Sequence, residues 1–284
     1  MLLGVHGINT RGFTRPQVIS SAARAAEEAG FDSLWMADHV IFPDGPEASR
    51  FDPEADGFID SVIALTWAAA VTTTLRLVTG VVILPLRNPV VLAKQLASVD
   101  VLSGGRLTFG LGVGWLEPEF EAVGADFRHR GAVADEYLEA ITRLWYDDRP
   151  SLDGRFVSFD HVNTYPRPVQ RPVPIVVGGS SPAAVRRTLT AGHGWYGYNT
   201  TPEAAAEHVE RLRQAAGSVD RPARLGPLEI TITPPRGPLT PAVVEAYAAA
   251  GVHRLVPMLP DSPADAPAVI ANAREAVDAA GGSS

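Results

Sequence analysis

The chain has 284 residues, 46% of them hydrophobic, and a formal net charge of −8. That is enough apolar material for a substantial core, and the acidic balance argues against nucleic acid or an anionic membrane surface as the main partner. No cysteine is present, which excludes a disulfide framework, a thiolate nucleophile and a cysteine metal site.

Short apolar runs alternate with helical patterns. The stretch MLLGVHGINTRGF lacks the order of a signal peptide, and its LLGVHG (2–7) reads as a first strand. TRPQ gives Thr14 and Gln17 the spacing of a capping box, Ala22, Ala25, Ala26 and Ala29 share a helical face, and Gly30 stands where a helix stop belongs. SLWMA (33–37) is a second strand, followed by a polar, Pro-rich loop over 40–56 that is longer than most connections. A helix within 58–73 leads to a third strand at 76–86, and Asn88 and Pro89 open the next helix. RLTFGLGVG (106–114) is the fourth strand, and a helix covers ADEYLEAITRLW. Residues 149–173 break the rhythm and contain a possible short hairpin. Strands at 174–179, 194–199, 228–233 and 253–258 then alternate with helices to the end.

Eight strand–helix units in this length predict a single-domain (β/α)₈ barrel, with insertions after strands 2 and 4; a doubly wound open sheet is the competitor. No apolar run free of Pro, Gly or Arg spans a bilayer, so a cytoplasmic protein is expected.

In a barrel, the C-terminal strand ends carry function. Asp38 and His39 fall there; a free imidazole exchanges protons near neutrality, and Asp38 could orient it or bind a ligand hydroxyl, the bland reading being that Asp38 caps a loop and His39 packs within it. Gly178, Gly179 and Ser180 precede a helix start, where exposed backbone N–H groups suit phosphate; a plain strand-to-helix turn is the bland reading. Gly112 and Gly114 would let a flat ring lie against backbone, or they simply fit a narrow barrel mouth. Glu117 and Glu119 are acid candidates, although an exposed helix start also favours glutamate. His6, at the end of the first strand, could line the pocket or be core, and core is the favoured reading. No His/Asp/Glu group has metal-ligand spacing, so no metal is expected.

Together, AEEAGFDSLWMADHV, the run from LVTGVVILPL to EFEAVG, RGAVADEYLEAITRLW and PVPIVVGGSSPAAVRR resemble the luciferase-like monooxygenase superfamily, and most of all its branch using coenzyme F420. The resemblance spans about 25–190; beyond it, the match is one of rhythm alone. It implies a barrel with a deazaflavin at the mouth, its phosphate at Gly178, Gly179 and Ser180, and Asp38 and His39 beside the ring. It also implies a non-prolyl cis peptide at Gly80–Val81, behind the ring. Where related dehydrogenases carry a catalytic Glu, this chain has Trp115, which can form an apolar wall; Glu117 then stands as the acid to take that role. The expected function is hydride transfer between F420 and a small organic substrate, in a homodimer, with the 40–56 loop and the 149–173 insertion shaping the substrate pocket. The alternatives are an FMN-dependent monooxygenase with a partner reductase, or a non-catalytic flavin-binding barrel.

Overall fold

The strand order closes on itself. In a computed structural model that describes residues 1–43 and 57–281, β1 (Leu2–His6), β2 (Ser33–Met36), β3 (Arg76–Thr79), β4 (Val82–Ile83) and β5 (Leu107–Gly112) come first. A two-stranded hairpin, β6 (Leu152–Asp153) and β7 (Ser158–Phe159), interrupts the series. Then follow β8 (Ile175–Gly178), β9 (Gly194–Gly197), β10 (Glu229–Ile232) and β11 (Arg254–Leu255). All barrel pairings are parallel, and β3 also pairs with β5, so the expected eight-stranded (β/α)₈ barrel is present. The third strand predicted over 76–86 is in fact two pieces, β3 and β4, separated at the Gly80–Val81 peptide, which is cis.

The closing seam explains one glycine. Gly110 N–H donates to Thr79 Oγ1 at 2.8 Å, and that hydroxyl donates to Gly110 O at 2.7 Å. A Cβ on Gly110 would lie 1.9 Å from the Thr79 carbonyl oxygen, so no other residue fits this crossing.

Around the barrel lie α1 (Pro16–Glu28), α2 (Ser61–Val71), α3 (Pro89–Leu102), α4 (Glu117–Val123), α5 (Arg130–Tyr146), α6 (Pro182–Ala191), α7 (Pro202–Ala216), α8 (Pro241–Ala249) and α9 (Ala266–Gly281). Because helices cover one side of the strands and barrel side chains the other, β2 and β5 are buried along their whole length. Asp60 and Asn88 cap α2 and α3 by accepting the free first-turn N–H groups. The capping box expected at Thr14 and Gln17 does not form. Helix α1 starts after Arg15, and Thr14 Oγ1 instead donates to Arg11 O in a preceding 3₁₀ turn. Inside the barrel, Trp35, Val78, Val176, Tyr196 and Val256 form a cluster against which Val81 packs. Trp35 and Tyr196 stack there with centroids 4.8 Å apart. Among the described residues, no helix is long and apolar enough to cross a membrane.

Candidate active site

The C-terminal ends of the strands enclose a cavity of about 540 Å³. His6 from β1, Asp38 and His39 after β2, Gly80 and Val81 after β3, and Gly112, Gly114 and Trp115 from β5 onward all line it. So do Gly178, Gly179 and Ser180 after β8, and Tyr196 and Tyr198 at β9. Of the candidate site residues read from the sequence, all but Glu117 and Glu119 therefore line this one mouth.

Glu117 is the first residue of α4 and is exposed, outside the cavity lining. Residues two apart on a helix point to nearly opposite faces, so the turn that leaves Glu117 in solvent carries Glu119 inward, with no exposed surface. Glu119 Oε1 accepts from Val40 N–H, and Oε2 lies 3.3 Å from His39 Nδ1. The carboxylate accepts, so Nδ1 carries the hydrogen of that pair. Three aromatic rings surround the imidazole: Phe42 at 5.1 Å, Phe58 at 5.5 Å and Trp115 at 6.2 Å between centroids. Trp115 meets it edge-on and is half-exposed at the mouth, so it is a wall of the site and not part of the helix-layer core.

Asp38 lines the mouth and is also a structural tie. It is a wall residue, but its carboxylate is fully buried and already engaged. It accepts from Ser61 Oγ and Ile83 N–H, both at 3.0 Å, and from Arg87 Nη2 at 2.6 Å. Arg87 also donates to Asp60, the α2 cap, at 2.7 Å. Burial pushes the Asp38 carboxyl up, against the pull of Arg87 and the two smaller donors. Asp38 thus ties β2, β4 and α2 together and holds the wall in which His39 sits.

His6 is buried, as its apolar strand implied, yet it also reaches the cavity floor. Its Nε2 lies 2.8 Å from the carbonyl of Gly80. Burial pushes this imidazole down to about 4, so it is neutral at physiological pH.

A flavin-type coenzyme suits what is here. Gly112 and Gly178 leave room for Val81 in the floor: a Cβ on Gly112 would come 2.9 Å from Val81 Cγ2. At the rim, Gly179 takes a φ of +102°, and its carbonyl accepts from Trp195 Nε1 at 2.8 Å. Ser181 caps α6 through Ala184 N–H, and the exposed Gly179 and Ser180 lead into that helix N-terminus, an anion-favouring place. An apolar floor and an anion-favouring rim are what a flat ring bearing a phosphate chain requires.

Two expectations about the surrounding segments need correction or lie elsewhere. Residues 149–173 do not line this cavity. Glu136 of α5 accepts N–H groups of Arg155, Phe156 and Val157 and holds the hairpin outside the barrel. Most of the loop expected to shape the mouth, 44–56, lies outside the described residues. Sequence reading also missed Phe58, Tyr196, Tyr198 and Met258 as lining residues, because an isolated aromatic at a strand end looks the same as core.

This parallel barrel gathers at its mouth an imidazole–carboxylate pair, an apolar floor and a helix N-terminus. Residues 4–279 match the luciferase-like monooxygenase family, and the chain belongs to it. It is 32% identical over 223 residues to an F420-dependent glucose-6-phosphate dehydrogenase of Kineococcus radiotolerans, covering 72% of this chain and 62% of that one. It is 29% identical over 210 residues to an FMNH₂-dependent dimethylsulfone monooxygenase of Pseudomonas putida, covering 72% and 54%. Its fold is similar to that of an F420-dependent secondary alcohol dehydrogenase in complex with an F420–acetone adduct, with a TM-score of 0.78, 16% identity and 98% of each chain covered.

Proposed function

We propose that the protein is an F420-dependent oxidoreductase, transferring a hydride between the deazaflavin and a small organic substrate. The observation that carries this reading is the His39–Glu119 pair at the cavity wall. When bound, the coenzyme supplies the carbon centre that gives or takes the hydride. The accompanying proton is the protein's task. With Nδ1 donating to Glu119, Nε2 is the atom at which His39 exchanges its proton, and the carboxylate stabilises the charged ring. Phe42, Phe58 and Trp115 exclude water around it. Gly178, Gly179 and Ser180 would hold the coenzyme phosphate, and Gly80 and Val81 would back the ring.

Trp115 bears on the substrate. An indole offers a flat apolar face and one N–H donor, not an acid. A site with one proton-exchanging group and an apolar wall favours reduction of an activated C=C or C=N bond over oxidation of a polar alcohol. The similarity to an FMNH₂-dependent monooxygenase supports the second reading, oxygen chemistry on FMN. Anaerobic assays separate the two. Reduced F420 should be reoxidised without oxygen when a panel of activated alkenes and imines is supplied, with the alkene or imine reduced. Oxygen consumption with reduced FMN, and none of that anaerobic turnover, would establish the monooxygenase.

The homodimer also belongs here as a proposal. Ile63 and Trp67 on α2 and Val91 and Leu102 on α3 are exposed apolar residues on helices that pack against each other, and a second copy would cover them.

A further inference from the structure

The mouth is not the only cavity among the described residues. A second, of about 670 Å³, opens in the helix layer beside the N-terminal ends of β8 and β9, at the other end of the barrel from the mouth. Here α5 and α6 are bridged by side chains, Arg186 and Arg187 both reaching Asp135.

Its floor is apolar, with Val173 and Ile175 buried at the base. Its rim is cationic. Five arginines line it against three carboxylates, in a chain whose net charge is −8. Three of the five have acidic partners: Arg186 and Arg187 on Asp135, and Arg143 on Glu139 at 2.7 Å. Among the described residues, neither Arg171 nor Arg224 belongs to any of the ion pairs found. His193 stands between these features. Its Nδ1 accepts from Ile175 N–H at 3.0 Å, so Nε2 carries the hydrogen, and Nε2 is buried without a partner. Burial, with Arg221 and Arg224 nearby, pushes the imidazole down and keeps it a neutral donor.

We infer that this cavity is a binding site for a small organic anion with an apolar body, of the acyl carboxylate class. The apolar floor would take the chain. Arg171 and Arg224 would take the carboxylate, guanidinium being suited to carboxylate geometry. An inorganic anion would leave the floor unfilled, and a neutral lipid would leave the two cations unanswered. The site is independent of the coenzyme reading, since it shares no lining residue with the mouth.

Calorimetric titration of the full chain tests this, with octanoate, octan-1-ol and inorganic phosphate as probes. Octanoate should bind at one site, and octan-1-ol and phosphate should each bind at least about tenfold more weakly. Both arginines are exposed, so Arg171→Glu with Arg224→Glu leaves the core intact. That double variant should lose about tenfold or more in octanoate affinity, while Trp115→Ala at the mouth should retain it. Failure of octanoate to bind, equal binding of phosphate or octan-1-ol, unchanged affinity in the double variant, or loss of binding in Trp115→Ala would each overturn the inference. Thermal melts of both variants show whether a loss comes from unfolding.

Discussion

The Glu119 carboxylate, wholly out of solvent, lies 3.3 Å from His39 Nδ1 and at the same time accepts the N–H of the next residue, Val40. One buried group thus fixes both the imidazole and the backbone that carries it. Glu119→Gln should keep the volume while losing the charge that stabilises protonated His39. Turnover should fall about 10–100-fold, and coenzyme affinity should stay within a few-fold. Glu117→Gln, on the solvent side of the same turn, should leave the rate unchanged. Equal effects of the two substitutions would remove Glu119 from the site's chemistry.

Asp38 and His39 are neighbours with separate roles, which mutation should distinguish. His39→Ala should lower the rate of hydride transfer about 10²–10⁴-fold and leave coenzyme affinity within a few-fold. Asp38→Asn disturbs a buried carboxylate held by Arg87, Ser61 and Ile83. It should destabilise the fold by about 1–3 kcal/mol, since Arg87 keeps only Asp60 as a charged partner and an amide cannot accept all three hydrogen bonds. Denaturant melts check this; an unchanged midpoint would show that Asp38 is not a structural tie.

Two buried histidines make stability depend on pH. His6 and His208 are each pushed down to about 4 by burial, and Arg211 adds to the effect at His208. An unfolded imidazole binds its proton near pH 6.5, and the folded ones resist until about 4. The unfolded state therefore takes up more protons in that window. Their stabilisation is fully present above about 6.5 and is lost as pH falls towards 4. His208 stacks on Trp195 at 3.8 Å, and Trp195 holds the Gly179 turn. Melts of the chain between pH 7 and 4 should show a falling midpoint, and His208→Phe should flatten the slope. An equally steep slope in that variant would exclude His208 as a source.

The exposed apolar face of α2 and α3 gives a test of assembly. Trp67→Glu places a charge on a helix layer that also exposes Ile63, Val91 and Leu102. Light scattering should report a dimer for the natural sequence and a monomer for the variant, with the melting curve still cooperative. A natural chain that is monomeric at high concentration would contradict the dimer.

Much of the barrel was legible because its signals are local. Asn88 before Pro89, Gly30 after an alanine face and the apolar runs at 33–37 and 106–114 need nothing beyond neighbouring residues. What was hidden depends on contacts distant in sequence. Thr14 had a cap's spacing, but the 3₁₀ turn at Arg11–Phe13 claimed its hydroxyl. Glu117 and Glu119 differ by two positions, and the rotation of one short helix decides which is buried. Asp38 looked like a ligand residue because its partners, Ser61, Ile83 and Arg87, lie 23 to 49 residues away.

The central claim is a deazaflavin at the barrel mouth. Its most direct test is an equilibrium titration of the purified protein with F420 and, separately, with FMN, followed by coenzyme fluorescence and repeated with Gly179→Val. The natural chain should bind F420 more tightly than FMN, and the variant should lose that affinity while remaining folded, because a branched side chain at a φ of +102° distorts the turn into α6. Preferential binding of FMN, or undiminished F420 affinity in the folded variant, would contradict it.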